Sequence, residues 1–168
     1  MHLQAVPELP SFGPGDKLAP VIIDRISAAD MEILDGDILV IAQKIVSKSE
    51  DRYVDLNSIT PSAYARNLAK SVGKDSRLVE VILSESSEVV RHGHQVLIVA
   101  HHLGYVMANA GVDASNLTPN SGKAERVLLL PLDANSTSAR LREQFEKRFN
   151  RRIGVIISDS VGRAWRNG

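Results

Sequence analysis

Two segments of this 168-residue chain carry oxygen ligands in settings suited to phosphate chemistry, and a third carries paired cations. In Ile156-Ile157-Ser158-Asp159-Ser160-Val161-Gly162-Arg163, an apolar run ends in a carboxylate flanked by hydroxyls, and Trp165 and Arg166 follow. Carboxylates at strand ends suit Mg2+ or Mn2+ already carrying phosphates, because such ions take few protein ligands and keep water. Arginines can neutralise phosphate oxygens bidentately. From this segment alone, Asp159 reads more readily as the cap of a following helix than as a metal ligand. In Asn109-Ala110-Gly111-Val112-Asp113-Ala114-Ser115-Asn116, small residues let a backbone approach an anion, while Asp113 and Asn116 offer hard oxygen ligands and hydrogen bonds. A solvent-exposed turn has the same composition. In Ile41-Ala42-Gln43-Lys44-Ile45-Val46-Ser47-Lys48-Ser49-Glu50, Lys44 and Lys48 point the same way if the chain turns helical. As ordinary surface lysines they would carry no function.

Familiar phosphate motifs are missing. Gly122-Lys123 resembles the end of a P-loop, but Leu117 stands where the leading glycine of GxxxxGK belongs. Gly13-Pro14-Gly15 has the wrong spacing for GxGxxG. His92 and His94 could share one strand face and a metal, but no third ligand is evident. Arg91-His92-Gly93-His94 reads more simply as a polar turn ahead of a strand. No residue is singled out as a catalytic acid, base or nucleophile.

Composition narrows the classes further. The absence of cysteine removes disulfides, thiolate zinc sites, iron–sulfur clusters and thiol nucleophiles. Twenty basic residues balance twenty acidic ones, so net charge gives no general attraction to nucleic acid or membrane. The charge is uneven: Arg140–Gly168 holds eight Lys/Arg against three Asp/Glu. That end could meet a phosphate, or form the solvated face of a helix. An aromatic content of 4% argues against a base-stacking nucleic-acid module. The first fifteen residues lack the basic and apolar regions of a signal peptide, and no apolar run approaches the roughly 18 residues of a membrane span. The expectation is a soluble, cytoplasmic protein.

The elements that must hold these segments follow from periodicity and punctuation. Pro7–Gly15 is a loop, and Asp16 caps a helix over 17–27 with Leu18, Val21, Ile22 and Ile26 inward. After the Asp35-Gly36-Asp37 turn, Ile38–Ala42 fits a strand covered on both faces. Thr60-Pro61 opens a helix that Gly73 closes, and Asp75 starts another with Leu78, Val81 and Ile82 inward. Strands are expected at 95–100, 104–108, 126–130 and 153–158, with His101–Leu103 a tight connection and 109–123 an irregular loop. Ser136 or Thr137 caps an amphipathic helix ending at Phe149. Strands and helices mix without regular alternation, so the expected fold class is α+β with mixed sheets, not a doubly wound Rossmann sheet. No linker divides the chain.

Taken together and in order, these segments resemble the coenzyme F420-0:L-glutamate ligases, the γ-glutamyl ligases of F420 synthesis. The resemblance rests on Asp35-Gly36-Asp37-Ile38-Leu39-Val40, then Gln43-Lys44-Ile45-Val46-Ser47-Lys48, then Asn109 to Asn116, then Ser158-Asp159-Ser160 with Gly162-Arg163. The Val6–Phe12 loop with Gly15-Asp16 matches the family's start. It implies GTP-dependent addition of L-glutamate to the carboxylate of coenzyme F420-0 through an acyl phosphate, with divalent metals bridging the phosphates and K+ allowed as a further ion. It also implies a homodimer, without nucleic-acid or membrane partners.

Carried over position by position, Asp113 and Asp159 resemble ligands of one divalent metal, Mg2+ or Mn2+, and Ser160 stands where the family has a hydroxyl ligand for a second. Leu9, Pro10, Ser11 and Phe12 match the family's first nucleotide-contacting loop; Gln43, Lys44 and Lys48 match the next contact and Asn116 a further one. Asp51 replaces a usual glycine, Ser160 replaces a commoner threonine, and Val161 and Ala164 replace larger or stiffer residues. Family members continue beyond Arg163, so residues 1–168 are expected to be an N-terminal portion, truncated on its C-terminal side. A metal-dependent phosphohydrolase or other phosphoryl-transfer enzyme, or an inactive GTP-binding fragment, remains as an alternative.

Overall fold

The computed structural model describes residues 2–115 and 125–159. It is a mixed α+β structure with small parallel and antiparallel sheets. The residues pack into two compact units: the first takes the chain up to Arg52 and again Pro131–Asp159, and the second takes Tyr53–Leu130.

In the first unit, α1 (Leu18–Ala28) turns Leu18, Ala19, Ile22 and Ile26 inward at the expected spacing. Asp16 is not its cap. Lys17 occupies that position without a side-chain bond, and Asp16 Oδ2 instead accepts the Gly13 N–H at 2.8 Å, closing the preceding turn. Strand β1 (Ile38–Ala42) runs directly into α2 (Gln43–Ser49) and pairs in parallel with β7 (Gly154–Ser158). The Asp35-Gly36-Asp37 turn sets that register: Asp35 Oδ1 accepts from Arg152 N at 2.7 Å, Gly36 N donates to Arg152 O at 2.8 Å, and Gly154 N donates to Asp37 O at 2.8 Å. The long helix α5 (Ala134–Phe149) begins earlier than expected. Asp133 caps it, accepting from the Ser136 N–H and hydroxyl, and Asn150 closes it in the left-handed region. The carboxylate at 133 wins because it precedes the small residues that form the first turn. The core joins Ile22, Ile26, Ile41, Val46, Leu141, Phe145 and Ile153.

The expectation that β1 is covered on both faces fails among the described residues. Ile41 is buried and Leu39 packs against the core, whereas Ile38 and Val40 are 57% and 63% exposed.

The second unit holds β2 (Tyr53–Asp55), α3 (Ala63–Val72), α4 (Ser76–Ser84), the antiparallel run β3 (Ser86–Gly93), β4 (Val96–His101) and β5 (Val106–Ala108), and β6 (Arg126–Leu128), which pairs with β2. Ser62, not Thr60 or Pro61, caps α3, and Gly73 closes it at φ 65°. Strand β3 corrects the reading of 91–94 as a turn ahead of a strand: His92 lies inside β3, and His94 with Gln95 makes the hairpin to β4. The buried face of β4 (Leu97, Val99) meets Val72, Val79 and Ile82 from the two helices.

Asp75 caps α4 through the Arg77 N–H at 2.8 Å and also binds the Arg77 guanidinium, which reaches Glu125 at 2.8 Å and Asn57 at 3.1 Å. The Arg77 hydrogen bonds hold the Asp75 carboxyl below its ordinary range. A depressed folded pKa stabilises above the unfolded value of about 3.9 and is lost as pH falls through the folded value. Asp75→Ala is expected to cost about 1 kcal/mol in urea melts at pH 7, mostly as a lost cap because solvent screens the ion pair. That cost should shrink towards pH 3, and a pH-independent difference would contradict it. Among the described residues no helix is long and apolar enough to cross a membrane.

Candidate functional site

The first unit contains a largely aliphatic groove of about 530 Å3. One wall is β1, and the other is the extended N-terminal stretch with the loop 9–12. The expected residues Leu9, Pro10, Ser11, Phe12 and Lys48 all line it. Phe12 is the anchor: its side chain is buried in the core with α1, which leaves Leu9, Pro10 and Ser11 on the surface. The loop is tied at both ends. Glu8, at φ 52°, faces Arg25 at 3.7 Å, and Gly15 N donates to Ser49 O at 2.9 Å.

The chain does turn helical at α2, which sets Lys44 and Lys48 one turn apart, but only one of them enters the groove. Lys48 is half-buried and lines the groove, while Lys44, one turn earlier, is exposed and does not. Gln43 is buried, its Nε2 2.5 Å from the Ser47 hydroxyl, so its amide braces α2 from within. One brace has no local signature. Glu50 accepts the Leu132 N–H at 3.0 Å and the Thr137 hydroxyl at 2.8 Å, and Arg140 donates to that same hydroxyl. These partners lie more than eighty residues away, beyond the reach of any spacing argument. The lining residues His2–Val6 were likewise not among the sequence candidates.

Asp159 follows the last residue of β7 and is exposed at the carboxyl end of a parallel strand, where ligands of α/β sheets gather. Asp113 belongs to the second unit. Its backbone makes a two-way bridge with Leu128, at 2.8 and 3.0 Å, and its Oδ1 accepts the Ser115 N–H at 2.9 Å, which fixes the carboxylate's orientation. The approach to it is strained: Asn109, Ala110 and Gly111 all have positive φ, of 53°, 52° and 67°. Asparagine and glycine tolerate this region, but the buried alanine stores about 1–2 kcal/mol. Strain of this kind collects at functional loops. A Cβ on Gly111 would meet Leu130 Cγ at 2.9 Å. Gly111→Ala is therefore expected to destabilise by about 2–4 kcal/mol through steric overlap and left-handed backbone. A denaturant midpoint within error of the parent's would refute this.

Asn116 and Ser160 lie outside the described residues. Among those described, no group of three or more His, Asp or Glu side chains gathers in ion-binding proximity. His92 and His94 thus form no such centre; His92 Nδ1 instead lies 3.5 Å from the Ser71 hydroxyl. Asp113 and Asp159 offer hard carboxylate oxygens of the kind that suits Mg2+ or Mn2+, ions satisfied by one or two carboxylates when substrate phosphates complete the shell.

A family profile described as F420-0:gamma-glutamyl ligase matches residues 7–168. The chain belongs to that family. It is 40% identical over all 168 residues to a coenzyme F420:L-glutamate ligase of Methanothermobacter thermautotrophicus, covering 65% of that protein. The ligase of Methanocaldococcus jannaschii is 40% identical over 163 residues, 96% of this chain and 61% of the relative. That of Methanopyrus kandleri is 39% identical over 168 residues, the whole chain and 63% of the relative. The chain thus spans somewhat under two thirds of the length of these relatives.

Proposed function

We propose that this chain is an N-terminal portion of a GTP-dependent ligase that joins L-glutamate to coenzyme F420-0 in the cytoplasm. The observation that carries the reading is 40% identity across all 168 residues to a coenzyme F420:L-glutamate ligase. In this reading the γ-phosphoryl group of GTP passes to a carboxylate oxygen of F420-0 and GDP leaves. The amine of glutamate then attacks the acyl carbon, phosphate departs, and the amine gives up a proton as the amide forms. Phosphoryl transfer asks mainly for positioning and charge neutralisation, so no thiol is needed.

The aliphatic groove with Leu9–Phe12 supports a role in seating the nucleotide, with the Lys48 ammonium facing its anionic end. Gln43, Lys44 and Asn116 complete the proposed contacts. Asp113, Asp159 and Ser160 are the proposed metal ligands; the bound Mg2+ or Mn2+ would supply charge neutralisation at the phosphates, and K+ is a further candidate ion. A homodimer is the proposed assembly.

The deciding assay incubates the chain with GTP, Mn2+, F420-0 and glutamate. GDP, phosphate and a product heavier by one glutamyl residue support the ligase. GTP loss without that product assigns a phosphohydrolase instead, and GTP binding without turnover reduces the chain to a nucleotide-binding fragment.

A further inference from the structure

The last turn of α2 is a meeting point of the first unit. Helix α2 spans seven residues, too few to hold itself, so its direction comes from what grips it. Its start continues directly from β1, and Val46 anchors its middle in the core. Its end is gripped by backbone and side chain together. Asp51, at φ 53°, closes the helix: its N–H donates to Lys48 O at 3.1 Å, and the Arg52 N–H donates to Ser47 O at 2.9 Å. The Ser49 carbonyl accepts the Gly15 N–H at 2.9 Å, which ties in the loop that follows Leu9–Phe12. The half-buried Glu50 carboxylate takes the Leu132 N–H at 3.0 Å on one oxygen and the Thr137 hydroxyl at 2.8 Å on the other. Thr137 is buried, and its oxygen accepts from Arg140 at 2.8 Å, so one hydroxyl joins a cation to a carboxylate.

We infer that Glu50 is a positioning residue for Lys48. Two charge-assisted hydrogen bonds, one to the backbone ahead of α5 and one to its first turn, fix both the distance and the direction of the α2 end. Lys48 lies in that end and lines the groove, so the bracket keeps its ammonium there instead of swinging with a frayed last turn. Lys44, one turn earlier and exposed, does not line the groove and gives an internal comparison. The placement of Lys48 stands on this geometry alone; its bearing on GTP rests on the reading proposed above.

The first arm of the test needs no nucleotide. The 168-residue chain is briefly acylated with acetic anhydride, and mass spectrometry gives the ratio of modification at Lys48 to that at Lys44. Glu50→Ala should raise this ratio about twofold or more, because local opening releases a half-buried amine to solvent. Glu50→Gln should keep it near the parent's, since the amide can accept from the Leu132 N–H and donate to the Thr137 oxygen. Should Glu50→Ala fail to fold, Thr137→Val, which removes the hydroxyl and keeps the shape, should give a smaller rise. An unchanged ratio overturns the inference, whether neither lysine responds or both rise together as the whole helix melts.

The second arm is calorimetry with GTP and Mn2+. Glu50→Ala should weaken binding about fivefold, and never by more than Lys48→Ala does, because it acts only by lowering the fraction of chains with Lys48 in place. Added to Lys48→Ala it should cost nothing further, whereas additive losses would overturn the inference. If Lys48→Ala binds as the parent does, the nucleotide reading of Lys48 fails, and the acylation ratio still decides whether Glu50 positions it.

Discussion

Asp113→Asn is expected to weaken metal-dependent GTP binding by at least about 100-fold, the upper end of what loss of a mere supporting partner of a metal ligand costs. Its folded structure should hardly change. The Asn side chain keeps an oxygen where Asp113 Oδ1 accepts the Ser115 N–H, and the backbone bridge to Leu128 involves no side-chain atom. What disappears is the negative charge, which a divalent ion needs and the local turn does not. Asp159→Asn should behave alike for a different reason: Asp159 is exposed beyond the end of β7, so no packing is disturbed. Calorimetry with Mn2+ and GTP reads the effect, and titration without metal provides the baseline. Parent-like affinity in both variants, with unchanged melting temperature, would withdraw the two carboxylates as proposed metal ligands and leave the aliphatic groove as the remaining candidate for the nucleotide.

Much of the scaffold around these residues was legible because the signals are local. Leu18, Ile22 and Ile26 announce α1, Asp75 announces α4, and the aliphatic runs announce β4 and β7. Strand β3 was not: Ser86–Gly93 is mostly exposed, polar and bulged, so its pairing comes from β4 and not from its own pattern. The apolar run at β1 read as doubly covered because hydrophobicity reports what a strand would bury, not what lies over it. The site divides in the same way. Composition could nominate Asp113 and Asp159, but Leu9–Phe12 came only through resemblance to a family. The groove they line depends on Phe12 reaching the core and on β1 crossing behind it, both non-local events. The Glu50 bracket and the chain's return to the first unit at Pro131 are non-local too.

Phe145→Ala should lower stability by about 3–5 kcal/mol, the usual cost of deleting a fully buried ring. The ring is completely buried in the first unit's core, where α1, α2, β1 and β7 all contribute neighbours, and it stacks on Phe149 at 6.4 Å with planes 19° apart. Two effects add: the transfer energy of the lost carbons, and a cavity that elements pinned by the turn at Asp35–Asp37 cannot collapse to fill. Leu132→Ala is the matched control, since that side chain is 65% exposed and should cost under about 0.5 kcal/mol. Hydrogen exchange separates packing from a change in the unfolded state: amides of Ile22, Ile26 and Ile41 should lose protection by the full amount. Because Ile41 and Val46 bridge this core to the wall of the groove and to α2, the cavity should also loosen Lys48. The variant's GTP affinity should then fall even at temperatures where it remains folded. Protection at Ile41 equal to the parent's, together with parent-like GTP affinity, would show that the groove does not depend on this ring.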